Sequence, residues 1–293
     1  MEKVSTSVST SGWLHNPQEL FRITSDLNLK SNSICNIELY PTYFTIPGFI
    51  QRINANDITT WYQDKSTKYA NINRVHLPFA YDLKDKFWRV FADSKESINQ
   101  RFYHLADTFL TGYSTNNYAI NLATEIAQIQ GRNIGLNIHS DVFLSYIKNN
   151  KLNDIAKPGI NSVLLENELP YHHRYFKTEK FQNIDEIIKT KNRHNLNGIV
   201  FALDHFQMQN LDSLPIIQKH QKDIQVIHLA TKNHQPINFK SERNQKFLKK
   251  IIDSFDHPFE FVLDYSPFAI KSLKSRQKYD LIKDYVDVIH SIQ

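Results

Sequence analysis

Short aliphatic or β-branched runs bounded by polar turns alternate with longer helical patterns along the whole 293-residue chain, and eight such pairs can be counted. The expected strands are Val4–Val8, Ile34–Leu39, Asn73–Pro78, Asn133–His139, Ser162–Glu166, Gly198–Asp204, Ile224–Leu229 and Phe259–Asp264. The expected helices are Pro17–Leu29, Ile98–Leu110, Tyr118–Gln130, Val142–Asn149, Ile184–His194, Ser213–Gln221, Glu242–Ser254 and Ala269–Ile292. Repeated βα units of this kind imply a parallel sheet. Eight of them match a closed (β/α)8 barrel, which takes roughly 250 residues and leaves no exposed sheet edge. A doubly wound open sheet is the structural rival. It needs fewer strands and usually a glycine-rich first turn, which VSTSVSTSGWLHNP does not supply. No linker or shift of composition divides the chain, so a single barrel domain over residues 1–293 is expected. Two long loops, Tyr40–Ile72 and Phe79–Ser97, are expected on the side where barrel active sites are built.

Composition narrows the chemistry more than the fold. With 41% hydrophobic and 22% charged residues the chain can bury a sizeable core, which excludes a disordered protein. No apolar run is long enough to span a bilayer, and MEKVSTSVSTSGWL lacks the apolar segment of a secretory signal, so a cytoplasmic protein without membrane contact is expected. A single cysteine, Cys35, permits neither an internal disulfide nor a cysteine-based zinc cluster. Any metal must therefore be held by His, Asp and Glu. The net charge of +5 is spread along the chain and not gathered in a block, so nucleic acid is permitted as a partner but not indicated. Among seven glycines there is no G-x-G-x-x-G or G-x-x-x-x-G-K-[ST] pattern, which argues against the usual nucleotide-phosphate cradles.

Seven successive strands end at or near an Asp, Glu or His: Glu38 in NIELYPT, His76 in RVHLPF, His139 in LNIHSD, Glu166 in VLLENE, Asp204 in FALDHF, His228 in VIHLAT and Asp264 in FVLDYS. These three residue types make up only about one residue in seven, so their recurrence at one place in each repeat is a pattern and not a background. Barrel strands converge at that rim. Carboxylates and imidazoles massed there need a cation, because a buried charge without a partner costs several kcal/mol. Mixed His and carboxylate ligation suits Zn, Mn, Fe or Co better than Mg or Ca. A set of buried ion pairs is the alternative reading of the same residues.

These motifs resemble the xylose-isomerase-like barrel superfamily, which includes sugar isomerases and epimerases and also the endonuclease IV class of DNA repair nucleases. In that family a His ends the third strand and another the fourth, as His76 and His139 do. A metal-binding Glu followed by Asn lies on the fifth strand, matched by Glu166 and Asn167. The sixth strand ends in Asp, the seventh carries His and the eighth an acid, matched by Asp204, His228 and Asp264. The resemblance thus implies a divalent metal held by Glu166, Asp204, His228 and Asp264. His76, His139, Glu38, His205 and Gln207 stand as further metal or substrate residues. Three departures bear on the reaction. The usual Asp-x-x-His after strand six reads Asp204 to Gln207, with His205 beside the Asp; HLATKNH offers Thr231 and then His234 after strand seven; and the last acid is Asp264 where Glu is usual.

The reaction that the resemblance implies first is isomerisation or epimerisation of a sugar or sugar phosphate by proton transfer, with Glu166 and Asp264 as the catalytic carboxylates. Alternatives are metal-dependent phosphodiester hydrolysis, an iron-dependent oxidation, and a barrel that has lost catalysis and serves as a binding module. Aromatic and cationic residues in the loops, Trp88, Arg89, His172, His173, Arg174, Lys232 and His234, are the expected contacts of a carbohydrate-like substrate. Glu168 is expected to play a supporting part, since only one of the two neighbouring carboxylates need reach a metal.

Overall fold

The structure, a computed structural model, describes residues 3–30, 34–45, 49–77, 117–167, 172–173, 176–177, 183–204, 212–231 and 234–293. Eight parallel strands close into a barrel in chain order. They are β1 (Val4–Ser9), β2 (Cys35–Leu39), β3 (Ile72–His76), β4 (Ile134–His139), β5 (Ile160–Glu166), β6 (Gly198–Ala202), β7 (Ile224–Leu229) and β8 (Phe259–Leu263). The described chain forms two compact units built from interleaved segments, Met1–Leu39, Asn56–Asn73 and Gly198–Gln293 in one, Tyr40–Ala55 and Arg74–Asn197 in the other.

In the first unit β1 pairs with β8 along Val4–Val8 and with β2 along Thr6–Ser9, and β7 pairs with both β6 and β8. Every residue of β6 and β8 is buried, as parallel strands covered on both faces require. The helix Pro17–Lys30 begins where proline is preorganised for a first turn, and the Asn16 side chain accepts from the Glu19 amide at 3.2 Å. Its Leu20, Phe21, Ile23, Thr24 and Leu27 form the buried stripe. Near its end the Asn28 amide takes the place of a strand neighbour: Nδ2 donates to the Cys35 carbonyl at 3.0 Å while Oδ1 accepts the Cys35 N–H at 2.7 Å. The final helix, Ser275–Ile292, buries Ile282, Tyr285, Val286 and Ile289, and the Tyr285 hydroxyl donates to the Phe261 carbonyl at 2.6 Å.

In the second unit β4 and β5 keep one register from Gly135 and Ser162 to their ends, so that His139 lies directly beside Glu166. Arg74–His76 of β3 pairs with Gly135–Asn137 of β4. Helical residues 117–130 cover this sheet with Ala119, Ile120, Leu122, Ala123 and Ile126. The helix Ser140–Lys148 contributes Val142, Phe143 and Tyr146, and Ile184–Arg193, capped by the Asn183 side chain, contributes Ile184 and Ile187.

Several boundaries differ from the sequence expectation. The predicted loop Tyr40–Ile72 holds an antiparallel hairpin, Thr42–Thr45 with Phe49–Arg52 as partner strand, and a helix Ala55–Gln63 anchored by buried Ile58 and Trp61. The predicted last helix is two helices, Pro267–Lys271 and Ser275–Ile292, because the Gln277 side chain folds back to accept the Lys274 N–H at 2.9 Å and starts a new first turn. Leu203 and Asp204 already have helical backbone, so β6 ends at Ala202, and the helix after β4 starts at Ser140. The predicted helix Ile98–Leu110 and the loop Phe79–Ser97 lie outside the described residues. No helix among the described residues is long and apolar enough to cross a membrane.

Candidate metal centre

Five acidic and imidazole side chains gather at the strand ends of the first unit. Glu38 is the penultimate residue of β2, His228 the penultimate residue of β7, Asp264 follows β8 directly, Asp204 lies two residues past β6, and His234 sits in the loop after β7. They form an alternating series. Glu38 Oε2 is 3.3 Å from His228 Nε2, and His228 Nδ1 is 3.9 Å from Asp264 Oδ2. Asp264 Oδ2 is in turn 3.6 Å from His234 Nδ1, which is 3.2 Å from Asp204 Oδ2. Glu38, Asp204 and His228 are buried, Asp264 and His234 partly open.

The His234 loop is closed by reciprocal backbone bonds, Thr231 N–H to the Gln235 carbonyl at 2.9 Å and Gln235 N–H to the Thr231 carbonyl at 3.2 Å. Within it His234 adopts φ 51°, a left-handed conformation that few residues other than glycine take. The Ser266 amide holds its carbonyl at 2.9 Å. In this conformation the ring lies against Asp204 and Asp264.

A second, more compact cluster lies in the other unit. His76 Nε2 is 2.6 Å from Glu166 Oε2, and His139 Nε2 is 4.0 Å from the same oxygen. One donor atom from each of the three residues lies within 4.8 Å of the other two. His76 Nδ1 faces the Leu77 carbonyl at 2.8 Å, so that nitrogen carries the proton and Nε2 is directed at Glu166. The Ser140 hydroxyl donates to the Glu166 carbonyl at 2.6 Å and fixes the end of β5.

The donor types of both clusters, carboxylate oxygens and imidazole nitrogens, suit a divalent cation such as zinc or manganese. In the first they form a series in which the 3.6 and 3.9 Å separations are too long for hydrogen bonds. Of the two, the second is the one that brings a donor from each of three residues within 4.8 Å of one another. In the second, a histidine that donates its remote N–H to a backbone carbonyl is oriented as metal-bound histidines are.

The structure therefore gathers, within their own units, Glu38, Asp204, His228 and Asp264, and His76, His139 and Glu166. It adds His234 to the first group, where the sequence suggested a substrate contact, and it adds Ser11, whose hydroxyl donates to Asp264 Oδ1 at 2.5 Å and which no sequence pattern singles out. His205, Gln207, Trp88, Arg89, Arg174, Lys232 and Glu168 lie outside the described residues. His172–His173 form a short strand paired with Phe176–Lys177, and their side chains lie outside the described set.

No family model matches the sequence. No curated protein matches it either. Solved structures do match over their whole length. An AP endonuclease, family 2, from Brucella melitensis superposes with a TM-score of 0.55 at 14% identity, covering 98% of this chain and 100% of that one. A D-allulose 3-epimerase from Methylomonas sp., in complex with D-allulose, gives 0.57 at 11% identity over 100% and 98%. The IolI protein with a bound zinc atom gives 0.55 at 13% identity over 100% and 99%. At such identities the likeness concerns architecture, and the chain has the (β/α)8 barrel fold that these structures share.

Proposed function

We propose that the protein is a divalent-metal-dependent isomerase or epimerase that moves a proton at a carbon atom of a sugar or sugar phosphate. Asp204, His228, His234 and Asp264 are the residues we assign to the ion. Bound there, it would polarise a carbonyl and hydroxyl pair and acidify the neighbouring C–H. The observation that carries the reading is the His76–Glu166 pair, a buried carboxylate 2.6 Å from an imidazole whose other nitrogen is pinned on Leu77. Such a pair can accept a proton and return it without the carboxylate moving, which is the demand of reversible proton transfer. Asp264 serves in this reading as a ligand and not as the second proton carrier, because Oδ2 faces two imidazoles and Oδ1 is taken by Ser11. The epimerase solved with D-allulose supports the substrate class.

The test is solvent deuterium exchange. Incubated in D2O with a panel of ketoses, aldoses and their phosphates, the metal-loaded protein incorporates deuterium at carbon in at least one, and Glu166→Gln abolishes this while retaining the metal assigned to the other cluster. No exchange with any member of the panel overturns the reading.

One observation favours a second reading. His76, His139 and Glu166 form a two-histidine, one-carboxylate set that could hold an ion of its own. Two ions suit the hydrolysis of a phosphodiester, in which bound water is activated and the leaving oxygen stabilised, and an AP endonuclease shares the fold. Two metals per chain together with release of product from abasic-site DNA would select this reading over the first.

A further inference from the structure

We infer that Ser11 is a positioning residue that makes Asp264 a one-oxygen ligand, an inference that rests on the metal-site reading above. The two oxygens of Asp264 have different surroundings. Oδ1 accepts the Ser11 hydroxyl at 2.5 Å, while Oδ2 faces His228 Nδ1 at 3.9 Å and His234 Nδ1 at 3.6 Å. A carboxylate free to rotate about its last bond can offer either oxygen or both to an ion. With Oδ1 accepting the Ser11 hydroxyl, Oδ2 is the oxygen that faces the two imidazoles. Groups that hold a ligand in this way also set how tightly the metal binds.

The local sequence is built to bring Ser11 to this place. It lies in the short 3-10 turn Thr10–Trp13 that follows β1, and the Ser9 hydroxyl caps that turn by accepting the Ser11 N–H at 3.3 Å. The next residue, Gly12, lies against the segment after β8: a Cβ there would stand 3.2 Å from the Tyr265 carbonyl oxygen and 3.1 Å from Ile270 Cγ1. Those distances are tighter than ordinary contacts, so glycine lets the turn approach closely enough for its neighbour to reach Asp264. Ser9, Ser11 and Gly12 therefore act together, the first shaping the turn, the third allowing the approach and the second making the bond.

The experiment measures the dissociation constant of zinc by chelator competition in wild type, Ser11→Ala and Ser11→Thr, with the unfolding temperature of each metal-free protein as a control. Ser11→Ala is expected to bind zinc about 10-fold to 100-fold more weakly, Ser11→Thr to restore most of the affinity through its hydroxyl, and the metal-free proteins to unfold alike. Gly12→Ala, which displaces the turn without touching the hydroxyl, is expected to weaken zinc in the same direction. Equal zinc affinity in wild type and Ser11→Ala overturns the inference and leaves the metal site standing. Failure of wild type to bind zinc, manganese, iron or cobalt overturns both.

Discussion

His234 Nδ1 lies 3.2 Å from Asp204 Oδ2 and 3.6 Å from Asp264 Oδ2, so one imidazole from the loop after β7 stands beside both acids that follow the sixth and eighth strands. Gln207 stands where the family resemblance implies a histidine, and an imidazole reaches Asp204 from a different loop. Replacing His234 by Asn, which tolerates the left-handed backbone at φ 51°, separates loss of the ring from loss of the loop. Zinc affinity measured by chelator competition is expected to fall at least about 10-fold, with metal-free stability unchanged; unaltered affinity removes His234 from the ligand set.

The His76–Glu166 pair is buried, and removing one member of such a pair exposes the other to the full cost of its desolvation. His76→Ala is expected to destabilise the metal-free protein by about 3 kcal/mol, read as a shift of the urea unfolding midpoint at constant slope. Glu166→Gln keeps a polar group of the same size beside His76 and is expected to cost less. Equal losses in the two variants contradict the pairing.

How far the sequence spoke can be judged from individual residues. Glu38, His76, His139, Glu166 and His228 were legible because a strand of period two fixes where its last residues lie, and parallel strands in register align those ends. The strands β6 and β8 were legible for a related reason: parallel strands buried on both faces read as continuous apolar runs. Helix Ala55–Gln63 was missed because it buries only Ile58 and Trp61, too few residues to show a helical period. His234 and Ser11 owe their positions to loop geometry, one to a left-handed backbone and the other to a close approach at Gly12, and neither leaves a periodic trace.

Cys35 offers a probe of the first unit that is independent of any ligand. Burial pushes its thiol up to about 12, with the nearby Glu260 charge adding to the effect against a bond from Thr6. The folded protein is therefore expected to be inert to a thiol reagent at pH 8, reacting only as fast as it opens. Because the folded thiol titrates above its ordinary value of 9.0, its contribution to stability is complete below that value and is lost as pH rises from there toward 12. Cys35→Ala is expected to lessen the alkaline loss of stability in thermal unfolding between pH 9 and 11; an unchanged profile contradicts the assignment.

In the proposed function, acids and imidazoles at the barrel strand ends hold a divalent metal. Elemental analysis of the purified protein by mass spectrometry, after gel filtration and again after chelation and reloading, tests it most directly. At least one zinc, manganese, iron or cobalt ion per chain is expected. Saturating metal at about 100 times its dissociation constant is expected to stabilise the fold by about 2.7 kcal/mol, and Asp204→Asn with His228→Ala together to remove the ion assigned to those residues. A wild-type protein that retains no ion, takes up none of the four on reloading and gains no stability from them would contradict it.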